Sequence, residues 1–152
     1  ASRYFNHSSV FFIGRNLDYA MGMEGSLKLK EISYIHSEAY ASGELKHGTI
    51  SLIESGTLVV GLGTYVPLFD KAMSNVVEVK ARGAEVLAVT TESMKEKMEK
   101  TADGVVAVPD THLVVQPSLG IVPLQLFSYY VALMRGCDID KPRNLAKSVT
   151  VE

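Results

Sequence analysis

The chain has 152 residues, 47% hydrophobic and 21% charged, with a formal net charge of −2 and its Lys and Arg spread along the sequence. That composition fits one soluble globular domain and excludes the basic stripe of a nucleic-acid binder. A lone cysteine, Cys137, excludes an internal disulfide and fits a reducing, cytoplasmic setting. The four histidines are scattered, so no metal site and no other cofactor is expected. The N-terminus lacks a signal-peptide core, and the apolar runs break before about 18 residues, so no membrane span is expected.

The elements alternate along the chain. Ala1 to Phe5 reads as the tail of a preceding helix, which suggests a piece of a longer polypeptide. Ser9 to Ile13 reads as a buried strand ending at Gly14, and Leu17 to Tyr34 as a helix with Leu17, Ala20, Met21, Leu27 and Ile32 toward one side. Gly22 and Gly25 inside that helix mark the close approach of another backbone. After a polar segment, Thr57 to Leu62 is a second strand, Pro67 to Arg82 a helix and Ala84 to Thr90 a third strand. A short charged helix follows near Glu92 to Lys100, then one or two short strands at Gly104 to Val108 and His112 to Val115. Ile121 to Arg135 closes the series as an apolar helix. Continuous Val/Leu/Ile strands separated by helices predict a parallel sheet covered on both faces, a three-layer α/β/α sandwich.

Few residues have the pattern of chemistry. Gly61-Leu-Gly63 lacks the third glycine of a dinucleotide fingerprint and reads as an ordinary strand-to-helix turn. Cys137 beside Asp138 reads as a packed neutral thiol. Glu24, Lys28 and Glu31 recur at i, i+4 and i+7, which puts them on one helix face. Spacing alone leaves a solvated Glu-Lys ladder open as the alternative. The neighbouring Met21, Gly22, Gly25, Leu27 and Leu29 favour a cleft, where a carboxylate beside a lysine can move a proton between adjacent carbons. His47, bracketed by Gly43 and Gly48, is a candidate to be presented from a tight turn, with a structural loop histidine as the alternative. Lys147 would serve as an imine-forming amine only if desolvated or set near other cations such as Arg143.

Four strings carry a resemblance: Met23-Glu-Gly-Ser-Leu-Lys-Leu-Lys-Glu-Ile-Ser-Tyr-Ile-His36, Glu38-Ala-Tyr-Ala-Ser-Gly-Glu-Leu-Lys-His-Gly48, Val122-Pro-Leu-Gln-Leu126, and Lys141-Pro-Arg-Asn-Leu-Ala-Lys-Ser-Val-Thr-Val-Glu152. Over essentially its whole length the chain resembles the glutamine:fructose-6-phosphate amidotransferase family, the glucosamine-6-phosphate synthases. Within that family it is similar to the second of two sugar-isomerase (SIS) subdomains, each a five-stranded parallel α/β sandwich. The resemblance implies a single SIS domain over residues 1–152, with 138–152 as a catalytic tail.

It also implies roles. Glu31 falls on the base that shuttles a proton between C1 and C2, and His47 on the ring-opening histidine, supplied across a homodimer interface. Lys147 falls on the lysine that forms an imine with C2, and Ala146 on a backbone contact to the sugar. Lys28 and Glu24 fall on the same helix near the sugar. The implied partners are fructose 6-phosphate and glucosamine 6-phosphate, a glutaminase domain and the first SIS subdomain. Thr49 departs from the family's usual proline, and the family's phosphate-gripping loop and glutaminase lie outside this sequence. The alternatives are a double-SIS glucosamine-6-phosphate deaminase or fructosamine-phosphate deglycase, or a non-catalytic phosphosugar-binding module.

Overall fold

The computed structural model describes residues 1–145. Five parallel strands, β1 (Ser9–Gly14), β2 (His36–Ala41), β3 (Leu58–Gly63), β4 (Glu85–Thr91) and β5 (Gly104–Val108), pair in the order β2-β1-β3-β4-β5. Helices α1 (Leu17–Ser33) and α4 (Gln116–Met134) cover one face, and α2 (Phe69–Lys80) and α3 (Lys95–Glu99) the other. Successive side chains of a strand point to opposite faces. Val10, Phe12, Leu58, Val60 and Leu62 therefore join α1 and α4 in one core layer, while Phe11, Ile13, Val59, Val86 and Ala88 join α2 and Met98 of α3 in the other. The expected three-layer α/β/α sandwich with a five-stranded parallel sheet is the fold found.

One strand of the expected set is exchanged for another. His112 to Val115 is a turn leading into α4, closed by the Val115 and Gln116 N–H groups donating to His112 O at 2.9 and 3.0 Å. The fifth strand is instead β2, in the stretch read as polar. As an edge strand it pairs only with β1, so its composition (His-Ser-Glu-Ala-Tyr-Ala) carries no buried-strand signature. Helix α4 starts earlier than expected because Pro117 suits a first helical turn. Gln116 also ties that end down, accepting from Thr111 N–H and donating to Pro109 O. Ala1 to Phe5 forms turns and not a helix tail. Pro67 lies in a 3-10 turn (Val66–Leu68), and Glu92–Met94 forms another before α3.

Helix α1 also faces otherwise than its apolar residues suggested. Its buried stripe is Asp18, Met21, Gly22, Gly25, Ser26, Leu29 and Ser33, whereas Ala20, Met23 and Leu27 are exposed. The helix lies between the sheet and α4, and small residues let both come near. A Cβ on Gly25 would stand 2.6 Å from Leu124 Cδ1 and 3.2 Å from Phe12 Cε1. Polar tethers fill the rest of the stripe: Ser26 Oγ and Ser37 Oγ are 3.1 Å apart, and Ser37 Oγ donates to Ser26 O at 2.8 Å.

Helix α4 carries no charged residue, and its 19 residues, with mean hydropathy 1.3 over an 18-residue window, are long and apolar enough to cross a membrane by length and composition. Gly120 and Pro123 interrupt its apolar run, as expected from the sequence. Its inner side is a core face, with Leu124, Phe127, Val131 and Ala132 buried.

Candidate active site

The three charged residues of α1 come together as their spacing demands. Lys28 Nζ lies 2.9 Å from Glu31 Oε2 and 3.6 Å from Glu24 Oε1. The hydrogen bond that Lys28 donates to Glu31, ahead of the field of both acids, raises its pKa above the ordinary value against the opposing effect of partial burial. The ammonium therefore stays charged throughout the neutral range, between the two acids. All three side chains remain partly exposed, Glu31 least at 28%. Leu27, expected to help bury them, is itself 41% exposed.

They do not share one cavity. Glu31 borders a groove of about 340 Å³ with Lys30, Tyr34, Arg143, Asn144 and Leu145. Lys28 lines a second groove against α4, with Ile32, Gln125 and Tyr129. Glu24 lines a third, with Met21, Pro117 and Ile121. The Lys28 and Glu24 furrows run between α1 and α4, whereas the Glu31 furrow runs between the end of α1 and Arg143 to Leu145, and all three are open, suited to being covered by something else.

Tyr34 is a participant that periodicity did not reveal. It terminates α1 in the left-handed region at φ 61°, and Asn144 shares that φ. Non-glycine residues held there carry strain that the surroundings must offset. Arg143, next to Asn144, holds Tyr34: its N–H donates to Tyr34 Oη at 2.9 Å, and its guanidinium lies 4.0 Å from the Tyr34 ring centroid. The chain after α4 is thus brought back beside Glu31. Ala146 and Lys147 lie outside the described residues.

His47 stands apart. It ends a 3-10 segment, Ser42–His47, its side chain is 75% exposed, and its one acidic neighbour is the equally exposed Glu44, at 3.8 Å. Leu45 of the same segment is buried in the layer beneath α2, on the sheet face opposite α1. Arg15 supports the segment from below. It donates to Asn75 Oδ1 at 3.1 and 3.0 Å, and its guanidinium occupies the space a side chain at Gly43 would need. Gly61 and Gly63, set aside as a dinucleotide motif, lie within β3 and admit Val76 and Met98. Asp18, also unseen in the pattern beyond being an acid in a first helical turn, is buried with its carboxylate on Thr64 and Tyr65. Burial raises its pKa, and those hydrogen bonds partly offset the rise. Among the described residues no three His, Cys, Asp or Glu side chains are grouped to hold a metal ion.

These features define a doubly wound α/β domain whose candidate site residues sit on the first helix and on exposed segments. The chain belongs to the SIS domain family, whose model matches residues 4–135. It is 59% identical, over its whole length, to the glutamine–fructose-6-phosphate aminotransferase (isomerizing) of Caldanaerobacter subterraneus, and spans about a quarter (25%) of that relative's length. Among solved structures it is similar to the C-terminal domain of glucosamine-fructose-6-phosphate aminotransferase from Francisella tularensis. The TM-score is 0.85 at 40% identity, covering 91% of this chain and 39% of that one. It is also similar to glucosamine-6-phosphate deaminase from Thermotoga maritima, with TM-score 0.72 and 30% identity over 94% of this chain and 40% of that one.

Proposed function

We propose that the chain is the second SIS half of a glucosamine-6-phosphate synthase, an enzyme that makes glucosamine 6-phosphate from fructose 6-phosphate and glutamine. The observation that carries this is the groove in which Glu31, held by Lys28, meets the segment Arg143–Leu145 that leads to Lys147. In this reading His47 opens the sugar ring and the Lys147 amine condenses with the C2 ketone, releasing water. Ammonia from glutamine then displaces the lysine. Glu31 takes a proton from C1 to give an enolamine and returns it at C2, leaving an aldehyde at C1 and an amine at C2. Ala146 offers backbone contact to the sugar, and residues 138–152 act as the catalytic tail.

Two features support partners. His47 sits on the layer opposite α1, so it serves more readily a site on a second copy, in a homodimer. The outer side of α4 exposes Val122, Leu126, Tyr129, Tyr130 and Leu133, each 42% to 52% accessible, an apolar surface suited to another protein face. The first SIS subdomain and a glutaminase domain complete the proposed enzyme, which we place in the cytoplasm.

The test is a chimera in which residues 1–152 replace the matching region of the Caldanaerobacter relative. Glutamine-dependent formation of glucosamine 6-phosphate is expected, and its absence from a folded chimera would refute the reading. The likeness to the Thermotoga deaminase favours one second reading, a double-SIS deaminase; sugar chemistry that proceeds without glutamine would select it. The isolated chain is expected to fold and to turn over no fructose 6-phosphate.

A further inference from the structure

In an open parallel sheet the ligand crevice lies outside the carboxyl ends of the strands, where the strand order reverses. In the order β2-β1-β3-β4-β5 that point falls between β1 and β3. The chain leaving β1 turns into α1 on one face, and the chain leaving β3 turns toward α2 on the other. Unpaired N–H groups at such strand ends and helix starts attract anions.

The crevice in this chain already holds one. Asp18, in the first turn of α1, is only 1% exposed. Its carboxylate accepts Thr64 N–H at 3.0 and 3.2 Å, Tyr65 N–H at 3.0 Å and the Thr64 hydroxyl at 2.5 Å. Among the described residues no Lys, Arg or His pairs with it. It is held by two backbone amides and one hydroxyl, the donors an oxyanion ligand would use. Gly14 makes this possible: a Cβ there would lie 2.6 Å from the Asp18 carbonyl carbon, so only glycine lets the first turn of α1 come this near to β1.

We propose that Asp18 is an internal ligand, its carboxylate occupying the anion position of the switch-point crevice, so that the domain seats no phosphate or other acidic group there. The crevice has become a fastening between the start of α1 and the end of β3. If the synthase reading holds, the sugar phosphate is gripped by another surface while α1 contributes Glu24, Lys28 and Glu31. The inference itself concerns only the crevice and stands or falls without any turnover.

The test is an amide NMR titration of the chain with inorganic phosphate and with formate, against potassium chloride at equal ionic strength. In the natural sequence the Thr64 and Tyr65 amides are expected not to move saturably. Asp18→Gly is expected to melt several degrees lower and to regain part of that loss saturably with formate, the Thr64 and Tyr65 amides being those that move. Asp18→Asn, whose amide still fills the space, is expected to lose stability without recovery in formate. Saturable movement of Thr64 and Tyr65 by phosphate in the natural sequence would overturn the proposal, as would a folded Asp18→Gly indifferent to formate. If the glycine variant folds in neither salt, the titration of the natural sequence decides alone.

Discussion

The ammonium of Lys28 lies 2.9 Å from Glu31 Oε2 and 3.6 Å from Glu24 Oε1, so two acids of one helix face share a single cation. Exposed pairs of this kind contribute about 0–1 kcal/mol to stability. Glu31→Gln should therefore shift the denaturation free energy by less than about 0.5–1 kcal/mol. In the chimera the same change should lower turnover by about 10²- to 10⁴-fold, the usual effect of removing a general base. Urea melts and a product assay on one preparation check both halves; equal losses in stability and rate would make Glu31 structural.

Acid should weaken the fold through Asp103. Burial by itself would raise its pKa, but hydrogen bonds from Lys80 Nζ at 2.7 and 2.8 Å and from Val86 N–H at 2.7 Å outweigh that and lower it. A lowered folded value means the native state binds fewer protons than the unfolded chain. The contribution is thus present above the unfolded value of about 3.9 and lost as pH falls through the folded one. Asp103→Asn should flatten the stability profile below about pH 4. Asp18, raised by burial, has the opposite sign: its contribution declines as pH rises from about 3.9 through its folded value. Melting temperatures from pH 2 to 7 separate the two.

Two glycines on one helix should differ in tolerance. Alanine favours a helix by about 1 kcal/mol over glycine. At Gly22 the new Cβ would meet Leu62 Cδ1 at 3.1 Å, the movable end of a side chain, and the change should be close to neutral. At Gly25 the contacts are 2.6 Å to Leu124 Cδ1 and 3.3 Å to Leu124 Cβ, in a residue 1% exposed. Overpacking of about 1–3 kcal/mol should exceed the propensity gain there. A double-mutant cycle with Leu124→Ala should show the two changes coupled, and simple additivity would refute the proposed clash.

The Tyr34–Arg143 contact should guard the chain after α4. Tyr34→Phe keeps the ring under the guanidinium and loses only the hydrogen bond to Arg143 N–H. Tyr34→Ala loses both. Trypsin cleavage after Arg143 tracks how often that segment opens. It should quicken several-fold in the alanine variant and much less in the phenylalanine variant; equal rates in both would leave the ring without a role.

Much of the architecture was legible because buried strands repeat Val, Leu and Ile without interruption. β1, β3, β4 and β5 were all visible in that way. β2 was not, since an edge strand with one neighbour needs no apolar signature, and its place was given to His112 to Val115. On α1 the spacing of Glu24, Lys28 and Glu31 foretold that they meet, since i, i+3 and i+4 neighbours must share a face. It could not foretell that they open onto three separate furrows, because the other walls, α4 for Glu24 and Lys28 and Arg143 to Leu145 for Glu31, lie about a hundred residues further along.

The sequence by itself determined the alternation of strands and helices, the charged stripe of α1 and the likeness to the SIS family, all of which depend on neighbours within a few residues or on motifs read directly. Tertiary structure alone decided that Asp18 closes the crevice with Thr64 and Tyr65, that Tyr34 holds Arg143, and that the sheet separates the layer under His47 from the one under α1. Each joins residues distant in the chain, and their meeting depends on strand order and the side on which each crossover runs, which local periodicity does not encode.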